Sequence, residues 1–414
     1  MTNDLTTENT YKQHINRLQN EVNLSFGKTV TSIADFEELS EKTRLSTQTL
    51  RRFFGKIDKE KQLSITSLNL LCNYIGFADW QSFCNNTTPA TPTQLREVIN
   101  SFYDTIAFSG ASFFDVKLRD THEAYAPIIL NDLPYAYSFL ERYKNTPKIT
   151  QSLYPWFPYY DCMAQASYVH LIETYLATQP LEHLRVCQNS FLAYGVFCST
   201  KWGGAGFVEK YTAEADKYIE SVWRDYPDSF FHYPETRYTI AKVVLAYLNN
   251  NEQEAIRVAE AALHRNLRAK PLHVFDEEFN TPDILISKLC NALIWMGKVD
   301  FAIEIYSTFS EELFLTKDPV ENMSQRFVYE RDTQFAAQTV DMLRLFDPSI
   351  PELVSKRQPH WKTRVYEEIQ QLLIDLKRCK KGELSKRLTL KERLRTLAKQ
   401  TNFGVIENLI QLFQ

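Results

Sequence analysis

The stretch Arg44–Lys56, RLSTQTLRRFFGK, has the pattern of a short capped helix with a polar outer face. Ser46 is a favourable residue for the cap of a helix that begins at Thr47. Gly55 is a typical residue just beyond a helix end, because glycine adopts the left-handed backbone conformation without strain. The apolar residues follow the i, i+3, i+4 spacing of a single buried face: Leu50, Phe53 and Phe54.

The segments on either side of this helix also have helical patterns. SIADFEELSEKT, before it, carries acids near its start, where the helix dipole favours negative charge. The residues between these two predicted helices are as few as in a helix-turn-helix. Downstream, Ser64 is placed to cap a third helix that ends before Gly76, and Trp80 and Phe83 would close a small core. The core positions of that third helix are Leu68, Leu71, Cys72 and Ile75.

This arrangement resembles the helix-turn-helix of the Cro/phage-repressor class, in which a Ser- or Thr-capped recognition helix follows a helix carrying a small residue. Ser40 stands at the small-residue position, Ser46 at the cap and Leu50 at the buried position of the recognition helix. The chain departs from the class at Arg44, where Gly is usual, and at Phe54, where a polar residue is common. The resemblance implies duplex DNA as a partner.

The same resemblance implies two kinds of DNA contact. Thr47, Gln48 and Arg52 would face base edges, and four cations would lie near phosphates: Arg51, Lys56, Lys59 and Lys61. Residues 42–61 contain seven basic and two acidic side chains, and neutralised phosphates provide most of the non-specific affinity for DNA. The alternative interpretation is a small helical bundle that dimerises or docks onto the rest of the chain.

The composition of the 414-residue chain favours an all-α protein. It has 27 Phe and 22 Tyr but only 11 Gly and 16 Pro, which suits helices packed through aromatic side chains better than many tight strand turns. Seven scattered Cys with no CxxC pair indicate reduced thiols in a cytoplasm, without metal binding. No apolar run approaches the roughly 20 residues that span a bilayer, so no membrane contact is expected.

Beyond the predicted helix-turn-helix, the sequence has one helical pattern after another. Residues 1–86 form the predicted helix-turn-helix domain, 87–94 a polar linker, 95–354 a repeat domain and 355–414 a basic helical cap. Tyr238–Asn266 and Asp283–Leu313 each read as two antiparallel helices, with Ala255 and Ala302 in matching places. These units resemble tetratricopeptide-type hairpins, in which a small residue lets two helices approach closely, and the resemblance implies an α-solenoid.

Stacked hairpins form a concave surface that holds a peptide or a protein. The aromatic candidates for lining this groove are Tyr159, Tyr160, Tyr168, Tyr175, Tyr194 and Trp202. The alternative for any one of these rings is a place in the core, where large aromatic side chains are common.

Motifs of catalysis are absent from the sequence, so we expect no catalytic residues, no cofactor and no metal. KWGGAGFVEK (201–210) is the single Gly cluster and reads as a turn between helices. VFDEEF (274–279) reads as a solvated loop or the start of a helix. An enzyme is therefore the less favoured class.

The last 60 residues are basic, with 14 Lys and Arg against 6 Asp and Glu from Ser355 onward. They read as helices that cap the last repeat, and the alternative is a basic face for nucleic acid or an acidic partner. The order of a helix-turn-helix domain followed by a repeat domain is similar to that of peptide-sensing regulators of the tetratricopeptide class. We expect a bacterial transcription regulator that dimerises to read two half-sites. The alternative is a protein-interaction scaffold whose head does not read DNA.

Overall fold

The structure is a computed structural model that describes residues 2–57, 63–77, 79–84, 92–108, 121–122, 125–126, 128–130, 132–146, 149–150, 160–199, 204–269, 272–274, 277–279, 283–313, 335–351, 365–380 and 382–414. These residues are predominantly α-helical, which confirms the all-α class. Among the described residues, no helix combines the length and the apolar character that crossing a membrane requires. The chain divides after Tyr135 into two compact units.

The first unit begins with five helices, which we call the head. They are α1 (Thr2–Phe26), α2 (Ile33–Thr43), α3 (Thr47–Phe53), α4 (Ile65–Tyr74) and α5 (Trp80–Cys84). Helix α6 (Pro92–Phe108) follows in the same unit.

The head has its own hydrophobic core. Helix α1 contributes one face at helical spacing, and the predicted apolar positions of α3 and α4 pack against it. Trp80 and Phe83 stack with ring centroids 5.8 Å apart and close the core as predicted. Ile33, by contrast, is 71% exposed at the first position of α2. The fully buried core side chains are Leu18, Val22, Leu39, Leu50, Phe53, Leu71, Cys72 and Phe83.

Side-chain caps define where the head helices begin. Ser32 accepts a hydrogen bond from the Asp35 N–H at 3.1 Å, and Asp35 Oδ2 accepts one in return from the Ser32 N–H at 2.8 Å. Ser64 accepts from the Ser67 N–H at 3.2 Å, which confirms its predicted role. Each cap satisfies a donor that the first turn of a helix leaves without a partner.

The second unit, which we call the body, consists of the described residues from Ala136 onward. Its helices include the end of α7 (Leu133–Tyr143), then α8 (Ala166–Thr178), α9 (Glu182–Cys198), α10 (Ala205–Asp225), α11 (His232–Leu248), α12 (Glu252–Arg268), α13 (Asp283–Trp295), α14 (Val299–Leu313), α15 (residues 335–344), α16 (Val365–Arg378), α17 (Leu384–Thr401) and α18 (Ile406–Leu412). A 3₁₀ turn at Tyr160–Cys162 precedes α8.

The two predicted helical hairpins of the body are confirmed. Helices α11 and α12 pack together across a turn at residues 249–251, where Asn250 has a left-handed φ of 56°. Helices α13 and α14 pack across Gly297, whose φ is 76°. Ala255 and Ala302 are both fully buried, as expected for small residues at a close approach of helices.

VFDEEF does not form the predicted loop or helix start. Leu272–Val274 and Glu277–Phe279 are two antiparallel strands, β1 and β2, with His273 opposite Glu278. The two segments satisfy each other's backbone N–H and C=O groups, and this cross-strand pairing is invisible to a search for helical periodicity.

The units differ in extent from the predicted domains. The described residues between 92 and 135 group with the head rather than with the rest of the predicted repeat domain. Arg96 forms an ion pair with Asp132, and the Tyr135 hydroxyl donates to Asn100 Oδ1 at 3.1 Å. These contacts join α6 to the segment that follows it. Of the predicted linker, residues 87–91 lie outside the described residues, and residues 92–94 open α6.

The C-terminal helices pack against the earlier helices of the body. Asn402, in the left-handed conformation, donates to the Ala164 carbonyl oxygen at 2.6 Å, and the Gly404 N–H donates to the Cys198 carbonyl oxygen at 2.7 Å. Phe403 and Phe413 are fully buried. The end of the chain is therefore part of the core of this unit.

Candidate functional site

Helices α2 and α3 are joined by a three-residue turn. Arg44 adopts a left-handed conformation, with φ 63° and ψ 23°, and its N–H donates to the Ser40 carbonyl oxygen at 2.9 Å. The Ser40 hydroxyl donates across the turn to the Leu45 carbonyl oxygen. Ser46 then accepts from the Thr49 N–H at 3.0 Å and begins α3, as predicted. The tight turn forms although Arg stands at the position where Gly is usual in the Cro/phage-repressor class.

Helix α3 ends in a Schellman motif. Gly55 has φ 67° and donates to the Arg52 carbonyl oxygen at 3.0 Å, while the Lys56 N–H donates to the Arg51 carbonyl oxygen at 2.8 Å. These two bonds satisfy carbonyl groups that the last turn leaves without partners. The predicted stop at Gly55 is confirmed.

The outer strip of α3 consists of Thr47, Gln48, Arg51 and Arg52. Leu50 and Phe53 are fully buried on the other side of the helix. Gln48 and Arg51 are exposed, and Thr47 and Arg52 are half-buried. Among the other candidate DNA-binding residues, Lys56 is exposed, and Lys59 and Lys61 lie outside the described residues.

The cations near the turn differ in their surroundings. Lys42 forms an ion pair with Glu38 at 2.8 Å, and Lys28 forms one with the nearly buried Asp35 at 2.7 Å. The Lys28 ammonium group beside Asp35 holds the pKa of that carboxyl well below its usual range. Within the described part of the head, Arg51 and Lys56 form no ion pair, so their charges face solvent.

Four of the six predicted groove aromatics of the body lie within the described residues, and these four occupy two environments. Tyr168 and Tyr175 are 1% and 2% exposed and pack between helices. Tyr160 and Tyr194 line a pocket. Tyr159 and Trp202 lie outside the described residues.

This pocket lies wholly within the body and is built mainly on α9, α11, α13 and α16. The cavity has a volume of about 30 Å³, and the free space, open solvent at the mouth included, is about 380 Å³. We call it the buried pocket; it is lined by Tyr160, Ser190, Phe191, Tyr194, Arg237, Ile240, Lys288, Asn291, Phe335 and Tyr366.

A directional chain of hydrogen bonds forms one wall of the buried pocket. The Tyr366 hydroxyl donates to Asn291 Oδ1 at 2.8 Å, so the Tyr194 hydroxyl, 3.1 Å away, is the donor to Tyr366. Asn291 Nδ2 donates in turn to Thr339 Oγ1 at 3.4 Å. Burial raises the pKa of both phenols well above the usual range, so both remain protonated donors at neutral pH.

The helix that carries Tyr366 is held by a carboxylate. Asp161 Oδ1 accepts from the Tyr366 N–H at 3.0 Å, and Oδ2 accepts from the Val365 N–H at 3.3 Å, both at the start of α16. Trp295 stacks on the Tyr366 ring at 4.4 Å with an interplanar angle of 8°. The ring and its hydroxyl are therefore fixed in position.

Two cations contribute to the pocket. Arg237 is 5% exposed; its guanidinium donates to Cys187 Sγ at 2.9 Å and lies 5.1 Å from the Phe191 ring centre. Lys288 Nζ lies 5.2 Å from the Phe335 ring centre. Burial raises the pKa of the Cys187 thiol, so the thiol is neutral beside the guanidinium.

The sequence pattern did not predict five residues of the pocket: Ser190, Arg237, Lys288, Asn291 and Tyr366. A signal for Arg237 was present, because the residue shares the buried face of α11 with Ile240, Ala241 and Val244 at i, i+3, i+4 and i+7. A cation on an apolar helix face is almost never buried unless it is paired, so it indicates a specific contact. The other four residues come together only when their helices pack.

Among the described residues, no group of three or more His, Cys, Asp or Glu side chains is arranged to hold a metal ion. The chain matches no protein-family model, and neither a curated protein nor a solved structure matches it.

Proposed function

We propose that the chain is a DNA-binding transcription regulator: the head reads duplex DNA through α3, and the body senses a ligand or a protein. The observation that carries the proposal is the capped α3, which follows a three-residue turn at the left-handed Arg44 and presents the outer strip to solvent. A short helix with exposed Gln and Arg side chains suits the major groove, where these residues pair with adenine and guanine edges.

The electrostatics of the head support the same proposal. Arg51 and Lys56, at the C-terminal end of α3, are exposed and face solvent. A protein gains affinity for DNA by bringing cations to phosphates and releasing counterions. Two heads would read two half-sites, so we propose a homodimer on DNA.

The experiment that tests this proposal is selection from random duplex DNA by the purified full chain. The test variant carries Arg51→Ala and Arg52→Ala. The control variant carries Arg393→Ala and Arg395→Ala, which remove the same charge from exposed positions of α17. A palindromic motif that the control recovers and the test variant loses is the expected result. A motif that survives in the test variant would overturn the proposed role of α3.

The second candidate function is a protein-interaction scaffold, and exposed leucines in the body favour it. Leu384 and Leu388, at i and i+4 of α17, are 64% and 52% exposed beside the exposed Lys386. A contiguous exposed apolar surface marks a partner-binding site, and these two leucines would belong to such a surface. Selection that recovers no motif, with binding abolished at moderate salt, would favour the scaffold over the regulator.

A further inference from the structure

Helix α17 exposes two leucines near its start. Leu384 and Leu388 are 64% and 52% exposed, whereas Leu394 and Leu397, later in the same helix, are buried. The exposed leucines lie one turn apart, at i and i+4, so their side chains are neighbours on one ridge of the helix. Apolar surface stabilises a fold only when it leaves water. This pair therefore contributes little to the stability of α17 and is available to a partner.

The same part of α17 carries positive charge that the described residues do not neutralise. Residues 380–392 contain five cations and two acids. Of the acids, Glu383 accepts from a backbone N–H at 2.9 Å just before the helix. Lys386 is exposed, while Arg387 and Lys391 donate to neutral oxygens, a backbone carbonyl at 3.2 Å and a side-chain amide at 2.8 Å. Among the described residues, no carboxylate forms an ion pair with these three cations. Cations near the start of a helix also oppose its dipole, so they do not stabilise α17.

Two further acids lie near this segment. Glu407, on α18, accepts from Arg395 at 2.7 Å. The hydrogen bond from Arg395, and more weakly the charge of Lys391, lowers the pKa of the Glu407 carboxyl. Glu392 is exposed one turn after Leu388. Three cations that form no ion pair with a described carboxylate therefore flank the two exposed leucines. We call this set the leucine–cation surface: Leu384, Lys386, Arg387, Leu388 and Lys391.

The ridge and the charge select the kind of partner. A row of side chains at i and i+4 packs into the groove between the rows of another helix, so a helix with its own apolar face fits Leu384 and Leu388. Acidic side chains beside that apolar face would complement the cations. A second copy of the chain would instead bring the same cations to a two-fold interface, where like charges repel. Two exposed aliphatic side chains are also few for a membrane-surface helix, whose apolar face is wider.

We propose that the leucine–cation surface binds an amphipathic helix of another protein, whose apolar face covers the two leucines and whose Asp or Glu side chains pair with the three cations. This inference names a partner class for the protein-binding role proposed for the body, and it rests on that role. It does not require that the head reads DNA, and it is tested without DNA.

The test is fluorescence anisotropy of a labelled peptide titrated with the full chain at low salt. The probe is an amphipathic peptide of about 16 residues, long enough to form a helix on binding, with Leu on one face and Glu beside it. Its first control replaces each Glu by Gln, and its second replaces each Leu by Ser. We expect each control to bind at least about tenfold more weakly, because one loses the charge attraction and the other loses the apolar contact.

Variants of exposed residues locate the surface without disturbing the core. Leu384→Asn with Leu388→Asn is expected to weaken binding of the Glu peptide about tenfold, with an unchanged melting temperature. Lys386→Gln is expected to weaken it about threefold. The matched control is Phe207→Asn with Lys217→Gln, which changes an exposed apolar and an exposed basic residue of α10 and leaves binding unchanged.

Glu392→Gln tests the charge effect with the opposite sign. Removal of this acid beside the cations is expected to strengthen binding of the Glu peptide about twofold. Co-sedimentation with vesicles of phosphatidylserine and phosphatidylcholine tests the lipid alternative. Equal binding of the Glu and Gln peptides, no loss in the leucine variant, or no peptide binding at about 1 mM would overturn the proposal. Vesicle binding that the leucine variant loses would also overturn it.

Discussion

Glu235 and Arg265 form an ion pair at 2.8 Å in which the carboxylate is only 3% exposed. The same carboxylate accepts from Trp223 Nε1 at 2.8 Å and from the Phe231 N–H at 2.7 Å, at the start of α11. One acidic side chain therefore joins α10, the start of α11 and α12.

Removing this carboxylate is expected to destabilise the chain. Glu235→Ala leaves three donors without their acceptor, and we expect a loss of about 3 kcal/mol in the free energy of unfolding by urea. Glu254→Ala, which breaks an exposed pair with Arg257, is the control and is expected to change little. Equal effects of the two substitutions would contradict this role for Glu235.

Replacing Arg44 or Arg51 by Gly is expected to change stability in opposite directions, because Arg44 lies in the left-handed conformation and Arg51 lies in a helix. Arg44→Gly is expected to raise stability by about 0.5–1 kcal/mol, because glycine has no Cβ to strain at φ 63°. Arg51→Gly, at an exposed interior position of α3, is expected to lower it by about 1 kcal/mol. Both values come from thermal unfolding of the full chain. A loss of stability at Arg44→Gly would show that the Arg side chain supports the turn.

Two Gly→Ala substitutions are expected to change stability in opposite directions. A Cβ on Gly195, within α9, would collide with the carbonyl oxygen of Met163, whereas one on Gly206, in α10, meets open space. Gly195→Ala is expected to destabilise by about 1–3 kcal/mol in spite of its better helix propensity. Gly206→Ala is expected to stabilise by about 0.5 kcal/mol. Similar urea midpoints for both variants would contradict the close approach at Met163.

His183 predicts a dependence of stability on pH. Burial lowers its pKa to about 4, and its ring stacks on Phe231 at 5.0 Å. The unfolded chain binds this proton near pH 6.5 and the folded chain only near pH 4, so stability falls as pH drops through that window. The loss from this group at pH 5 is about 2 kcal/mol. His183→Asn should flatten the pH profile between these values, and an unchanged slope would exclude His183 as its source.

Arg52 is expected to contribute to sequence-specific DNA affinity. If it faces a base edge, Arg52→Ala weakens binding to the selected motif by about 1–3 kcal/mol and relaxes the preference at one base pair. Fluorescence anisotropy with selected and scrambled duplexes measures both effects. Arg393→Ala serves as the single-charge control. Unchanged affinity of the Arg52 variant for the selected motif would contradict the proposed register of α3.

The local sequence pattern was sufficient to predict much of the head and the two helical hairpins. Ser46, Ser64 and Gly55 predicted helix ends, because a cap depends on hydrogen bonds within one turn. Periodicity also predicted the buried faces of α3 and α4, whereas the apolar Ile33 at the start of α2 is exposed. The periodicity of a segment states which face is apolar, and it does not state whether a neighbour covers the first turn.

The sequence by itself therefore determined the helical class, the capped α3 and its outer strip, and the helical hairpins, since each depends on residues near one another in the chain. Only the tertiary structure decided the extent of the first unit, the pairing of β1 with β2, and the buried pocket. Ser190, Arg237, Lys288 and Tyr366 come from four different helices. Their juxtaposition depends on how those helices pack, and no spacing along the chain encodes it.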